Sequence, residues 1–92
     1  LTFAVEFLGV QGDRFRYLTT LSNAAPNTIY TYQMLRDGPS GTVAHTPLHF
    51  QTDGNGAYAA LALSLFAGAT RAVLYEAFST REIATVVVAS QA

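Results

Sequence analysis

The sequence predicts an all-β fold, a seven-stranded antiparallel β-sandwich. Apolar residues alternate with polar or small residues at period two over several short stretches. Turns rich in Gly, Pro, Asn and Asp separate these stretches, and the connections are too short for crossover helices, so neighbouring strands should be antiparallel. Residues 1–92 have the length of a single domain. Because residue 1 is Leu rather than Met, we expect this domain to be excised from a larger protein.

Composition narrows the classes of function. Half of the residues are hydrophobic, and charged residues make up 12% of the chain, about half the usual share. Five Arg, no Lys and six acidic residues give a net charge of -1. This composition predicts no basic patch that could bind nucleic acid or an anionic membrane surface. The chain has no Cys for a disulfide or thiolate site. No apolar run approaches membrane-spanning length, which predicts no membrane insertion.

The first two predicted strands form a hairpin. One covers residues 1–10 and the other covers residues 14–21, and Gln11-Gly12-Asp13 supplies the turn between them. Each strand has one apolar face that should be buried. These faces consist of Phe3, Val5 and Phe7 in the first strand and of Phe15, Tyr17, Thr19 and Leu21 in the second.

A loop over residues 22–27 leads to a third predicted strand, residues 28–36, which is rich in β-branched and aromatic residues. Residues 37–41 contain two Gly and one Pro and form the strongest turn signal in the chain. Residues 42–52 are again extended, but Pro47 lies inside them and has no backbone N–H to donate. This segment is therefore predicted to be either two short pieces or an edge strand.

The next segment, residues 57–66, is the one place where a helix competes with a strand. Ala and Leu are strong helix formers, but the leucines fall at positions 61, 63 and 65. A spacing of two favours a strand, because a helix would place them three and four residues apart. Residues 72–78 form a further alternating strand. Residues 83–89, with three consecutive valines, form the last strand, which we expect to be buried on both faces or central in a sheet.

Seven short strands in about 90 residues favour an immunoglobulin-like β-sandwich over an up-and-down barrel, which commonly needs eight or more strands. The second half of the chain carries a series of short motifs: Phe50-x-Thr52-Asp53-x-Asn55-Gly56, alternating small and Leu residues to Leu65, Ala67-Gly68, Val73-x-Tyr75 and Ala84-Thr85-Val86-x-Val88. This series resembles the second half of bacterial immunoglobulin-like (fibronectin type III-like) domains.

The resemblance covers residues 42–89. It departs from the family pattern at Arg71, where an aromatic residue is frequent, and the chain lacks the Cys…Trp…Cys core of antibody domains. The resemblance implies a non-catalytic spacer, adhesion or docking module in a larger secreted, cell-surface or phage-particle protein. Its expected partners are neighbouring domains or other proteins. Arg14, Arg36 and Arg81 are candidate contacts, since Arg is enriched at interfaces.

Four tyrosines, Tyr30, Tyr32, Tyr17 and Tyr58, are candidate ligand-binding residues. On an exposed sheet face, planar aromatic rings can stack on sugars, which would make the chain a carbohydrate-binding module. Alternatively, the same rings fill the core, where Phe and Tyr usually pack. The core interpretation is favoured because the chain has no Trp, the most common platform for sugar stacking.

The sequence predicts no catalytic residue, metal site or cofactor. His45 and His49 have a spacing that suits a metal on a helix, but four residues of a strand span about 13 Å. Asp53 and Asn55 open a DGNG segment like a calcium loop, yet Ser64 stands where that loop needs a Glu. A turn with Asx hydrogen bonds is favoured there. Without a G-x-S-x-G elbow or paired carboxylates in a cleft, we expect no enzyme activity.

Overall fold

The computed structural model describes residues 1–90, which form nine strands in two sheets and confirm the predicted all-β class. Over this range no helix has the length and hydrophobicity needed to cross a membrane. The strands are β1 Thr2–Gln11, β2 Arg14–Ser22, β3 Ile29–Gly38, β4 Gly41–Ala44, β5 Leu48–Gln51, β6 Tyr58–Ser64, β7 Arg71–Glu76, β8 Glu82–Val87 and β9 Ala89–Ser90.

The strands divide into a four-stranded sheet A and a five-stranded sheet B. Sheet A has the order β6-β2-β1-β9, and sheet B has the order β4-β3-β7-β8, with β5 also pairing with β3. All pairs are antiparallel except β1 and β9, which are parallel. The prediction of seven wholly antiparallel strands is therefore wrong in its strand count and in this one pair.

Two breaks in predicted strands raise the count to nine. Pro47 separates β4 from β5, and both pair with β3 at the edge of sheet B, so both alternatives for residues 42–52 are realised. The predicted strand over residues 83–89 divides at Val88, where the chain passes from sheet B to sheet A. The expectation that it is buried on both faces or central in a sheet is wrong, because β8 is an edge strand and Val87 is 81% exposed. Valine is common in edge strands and in central strands alike, so three valines do not indicate whether a strand is buried.

The core lies between the inner faces of the two sheets. The predicted apolar faces of β1 and β2 turn inward, as does the face of β3 that carries Tyr30, Tyr32 and Met34. Phe50 of β5 stacks between the rings of Tyr30 and Tyr58, with ring centroids 6.0 Å and 4.2 Å away. The stacking of Phe50 on Tyr58 thus joins the two sheets.

Strand β6 confirms the spacing argument, but its leucines face solvent. Leu61, Leu63 and Leu65 are 55%, 52% and 69% exposed, while the alternating small residues face the core. Ala62 is the cross-strand partner of the buried Tyr17. An alanine at Ala62 leaves room for that ring, whereas a leucine there would crowd it.

The DGNG turn before β6 is held by Asx hydrogen bonds, as predicted. Asp53 Oδ1 accepts hydrogen bonds from the backbone N–H groups of Asn55 at 2.8 Å and Ala57 at 3.0 Å. Gly56 has a positive φ of 72° and lies against the backbone of Ala24, whose N–H donates to the Gly56 carbonyl at 3.1 Å. The turn therefore fixes where β6 enters sheet A.

Candidate functional site

The four tyrosines singled out by sequence point into the core. Tyr17, Tyr30 and Tyr32 are buried, and Tyr58 is half-buried with its ring stacked on Phe50. Desolvation by burial raises the pKa of Tyr17 and of Tyr58. The three buried rings have no exposed face on which a sugar could stack.

The two histidines make separate local contacts. His45 Nδ1 lies 3.0 Å from the carbonyl oxygen of Thr46, and the His45 ring packs edge-on against Phe66. His49 Nδ1 lies 2.8 Å from Thr31 Oγ1. Across residues 1–90, no three His, Cys, Asp or Glu side chains come close enough together to hold a metal ion.

The three arginines proposed as partner contacts also have neighbours within the chain. Arg14 forms a surface ion pair with Asp13 at 3.0 Å, and Arg81 lies 3.6 Å from a carboxylate oxygen of Glu76. Arg36 lies over the Phe66 ring, with Cζ 5.5 Å from the ring centroid. Each of the three therefore already has a contact within the chain, with a carboxylate or with an aromatic ring.

Asp37 forms the densest group of charged and polar contacts. Its carboxylate accepts hydrogen bonds from Arg71 Nε at 2.8 Å, Thr42 Oγ1 at 2.7 Å and Thr70 Oγ1 at 3.1 Å. The Arg71 hydrogen bond, followed by that from Thr42, lowers the pKa of Asp37 to about 2. The cluster ties the end of β3 to β4 and β7, which indicates a structural role.

Sequence reasoning missed a groove of about 900 Å³ on the outer face of sheet B, called here the sheet B groove. At one end of it, Phe78 is 73% exposed and has a positive φ of 54°, a conformation rare for a bulky residue. Its ring centroid lies 4.7 Å from that of His49. Residues that line the groove include Thr31, Gln33, His49, Tyr75, Phe78 and Arg81.

Polar groups lie along the floor and rim of the sheet B groove. Gln33 Nε2 donates to the carbonyl oxygen of His45 at 2.8 Å, and the Phe78 N–H donates to Thr31 Oγ1 at 3.4 Å. In the described part of the chain, His49 hydrogen-bonds to Thr31 alone, without a carboxylate to orient its ring. Thr31 is also buried, so its hydroxyl and the His49 ring form a polar pair at the groove floor without the third, orienting group of a hydrolase triad. Aromatic surface beside polar groups instead suits binding of a small ligand.

A second candidate surface is the exposed side of β6 together with the residue that follows the strand. It is called here the leucine edge and consists of Ala59, Leu61, Leu63 and Leu65. β6 is an edge strand that pairs with β2 on one side only. Residues 57–66 contain no charged residue and no proline. Natural edge strands are usually protected by charges, prolines, bulges or a covering segment, so this unprotected strand is a ready surface for association.

The turn before β6 indicates which backbone groups face the open edge. The Gly56 carbonyl pairs with Ala24, which follows β2, while the N–H and C=O of Ala57 are both bonded to Asp53 on the opposite side. Backbone groups alternate in direction along a strand. The N–H and C=O groups of the odd-numbered residues from 59 to 63 therefore point away from β2, toward the open edge.

Residues of both sheets also meet beside β6. A cavity of about 430 Å³ lies beside this strand, lined in part by Met34, Leu48, Leu63 and Leu65. Exposed apolar side chains and unpaired backbone groups therefore coincide at β6.

Comparison of the chain with protein-family models, curated proteins and solved structures gave no match. The two-sheet all-β fold thus follows from the strands and their pairing.

Proposed function

We propose that the chain is a non-catalytic interaction module, an immunoglobulin-like β-sandwich of a larger protein that docks through its leucine edge. The observation that carries the proposal is a charge-free edge strand whose two leucines, with a third just after the strand, are all more than half exposed. Burying one such side chain fully is worth about 1.5–3 kcal/mol. A partner that covers Leu61, Leu63 and Leu65 would gain much of its binding free energy there.

The proposed setting is a secreted, cell-surface or phage-particle protein in which the chain is one of several domains. The resemblance of residues 42–89 to bacterial immunoglobulin-like repeats supports this setting. The low charged fraction of 12% supports it too, because a sparsely charged surface suits a domain packed beside others.

The absence of catalysis is supported by the positions and causes of the pKa shifts. The pKa shifts of Asp37, Tyr17 and Tyr58 arise from an ion pair or from burial. None of these three residues lines the sheet B groove, whereas perturbed groups at an active site gather in a cleft.

Site-specific photo-cross-linking in the intact parent protein tests the docking proposal. The photoreactive residue p-benzoylphenylalanine replaces Leu63 and, in a control, Val43, which is 46% exposed on the edge strand β4 of the other sheet. We expect adducts from position 63 to a defined segment of a neighbouring domain or chain, and few from position 43. Equal yields from both positions would contradict docking at the leucine edge.

A second candidate function, carbohydrate binding, is favoured by the sheet B groove. The exposed ring of Phe78 and the half-buried ring of Tyr75 lie there beside Gln33, Thr31 and Arg81. These aromatic residues differ from the four tyrosines predicted from sequence. We expect a glycan array to return hits that the substitution Phe78→Ala removes and that Leu65→Ala, on the other sheet's side, retains. An array without hits, or hits insensitive to Phe78→Ala, would exclude this function for the groove.

A further inference from the structure

We propose that the occupant of the leucine edge is a second copy of this chain. The two copies pair antiparallel along β6 about a two-fold axis, so that their four-stranded A sheets become continuous. This inference rests on the proposed docking function and names its partner.

The backbone of β6 is suited to an extended partner. The outward N–H and C=O groups of residues 59, 61 and 63 form a row that another strand can pair in register. All nine strands within residues 1–90 already belong to one of the two sheets. None of them is left to cover this edge, so the pairing strand comes from elsewhere, and a second copy carries a suitable one.

The sequence of β6 is self-complementary about Leu61. A two-fold axis through this residue places Leu61 opposite its counterpart in the second copy and Leu63 opposite Ala59, so a large side chain meets a small one. On the inner face, Ala60 meets Ala62 and Tyr58 meets Ser64. Because Leu61 faces the open edge, the central pair is a hydrogen-bonded one that exchanges both backbone bonds. Such an isologous arrangement is the most common symmetry of homodimers.

Electrostatics permits this arrangement. β6 carries no charge, and the whole chain has a net charge of -1, so two copies repel each other little. The charged neighbours in sheet A are Arg16 on β2, which pairs with Leu63, and Arg14, which lines the cavity beside Leu63 and Leu65 and forms an ion pair with Asp13. In the paired sheets the two Arg16 residues are three strand spacings apart across the sheet, about 14 Å, and they are also offset along the strands, which lengthens the separation. This distance exceeds the Debye length of about 8 Å at physiological ionic strength.

Pairing about Leu61 also joins the two leucine rows. On the outer face of the joined sheet, the leucines of both copies form one stripe across the two-fold axis. Cross-strand neighbours in such a stripe contact each other directly, and each copy thereby covers part of the apolar surface that the other exposes.

Analytical ultracentrifugation of the full chain over a wide concentration range tests the dimer. The variant Leu61→Lys places two like charges opposite each other at the axis, which disfavours the pair. The control Ala4→Lys adds the same charge to an exposed position on β1, two strands from the edge. We expect a monomer–dimer equilibrium for the unmodified chain and for Ala4→Lys, and a dissociation constant at least about tenfold higher for Leu61→Lys.

The circular dichroism spectrum of each variant verifies its fold. A chain that stays monomeric throughout the range, or a folded Leu61→Lys variant that dimerises like the unmodified chain, would overturn the dimer. The photo-cross-linking result separates the two proposals. Adducts from position 63 to a different polypeptide, with a monomeric chain, would leave the docking function standing and refute the second copy as its partner.

Discussion

Substitution of Gly56 by alanine tests the packing of the turn that positions β6. Gly56 has φ of 72°, and a Cβ placed on it would lie 2.0 Å from the carbonyl oxygen of Ala24 and 2.8 Å from its carbonyl carbon. Both are backbone atoms, so no side-chain rotation relieves the clash. Either the turn or the segment that follows β2 must move.

The expected cost has two parts that can be worked out from the structure. Holding an alanine in the left-handed region costs about 1–2 kcal/mol. Moving Gly56 away from Ala24 also weakens the hydrogen bond between them, which is 3.1 Å long and worth about 1 kcal/mol net. We therefore expect Gly56→Ala to lower the free energy of unfolding by about 2–3 kcal/mol. The loss is larger if the displaced turn also shifts neighbouring residues.

Gly12 provides a matched control. Its φ of 62° is similar, but a Cβ at this position would meet nothing within 4 Å. Gly12→Ala should therefore lower the free energy of unfolding only by the cost of a left-handed alanine, about 1–2 kcal/mol. Urea unfolding followed by circular dichroism gives both values. If the two variants are equally destabilised, the close approach of Gly56 to Ala24 does not constrain the fold and the reasoning is refuted.

Three further predictions concern single side chains. Tyr17→Phe should cost about 1–2 kcal/mol in urea unfolding, because the Tyr17 hydroxyl donates to the Phe66 carbonyl at 2.7 Å; a loss below about 0.5 kcal/mol would show that this bond contributes little. Since the pKa of Asp37 is lowered to about 2 from 3.8, its stabilisation should be complete above pH 3.8 and fade as pH falls through about 2. Unfolding midpoints of the unmodified chain and of Asp37→Asn should accordingly converge over that window, and a constant difference would contradict the assignment. Phe78→Gly should change the free energy of unfolding by less than about 1 kcal/mol, since relief of the strained φ offsets the greater freedom of glycine when unfolded; a loss above about 2 kcal/mol would make the ring structural instead.

The period-two pattern predicted most strands and, for β1 and β2, also the buried face. It succeeded there because one face of each strand carries most of the large apolar residues. In β6 both faces are apolar, one with leucines and one with Tyr58 and small residues. Which face of β6 is buried depends on the space that the Tyr17 ring on β2 needs opposite β6. The alternation of residues within β6 carries no information about that neighbouring strand.

The sheet B groove was beyond sequence reasoning for a different reason. It brings together Thr31, His49 and Phe78, which come from separate segments and meet only after β3, β5 and β7 take their order in the sheet. Phe78 also continued the alternation of the strand predicted over residues 72–78. Its left-handed backbone in a turn next to the polar connection is visible only in the structure.

Amide hydrogen exchange along β6 tests the central claim most directly. The amides of Leu61 and Leu63 face the open edge, whereas those of Ala60 and Ala62 face β2. We predict that Leu61 and Leu63 exchange rapidly in dilute solution and become protected as the chain concentration rises, while Ala60 and Ala62 stay protected throughout. Rapid exchange of Leu61 and Leu63 at every concentration would contradict the pairing of β6 with a second copy.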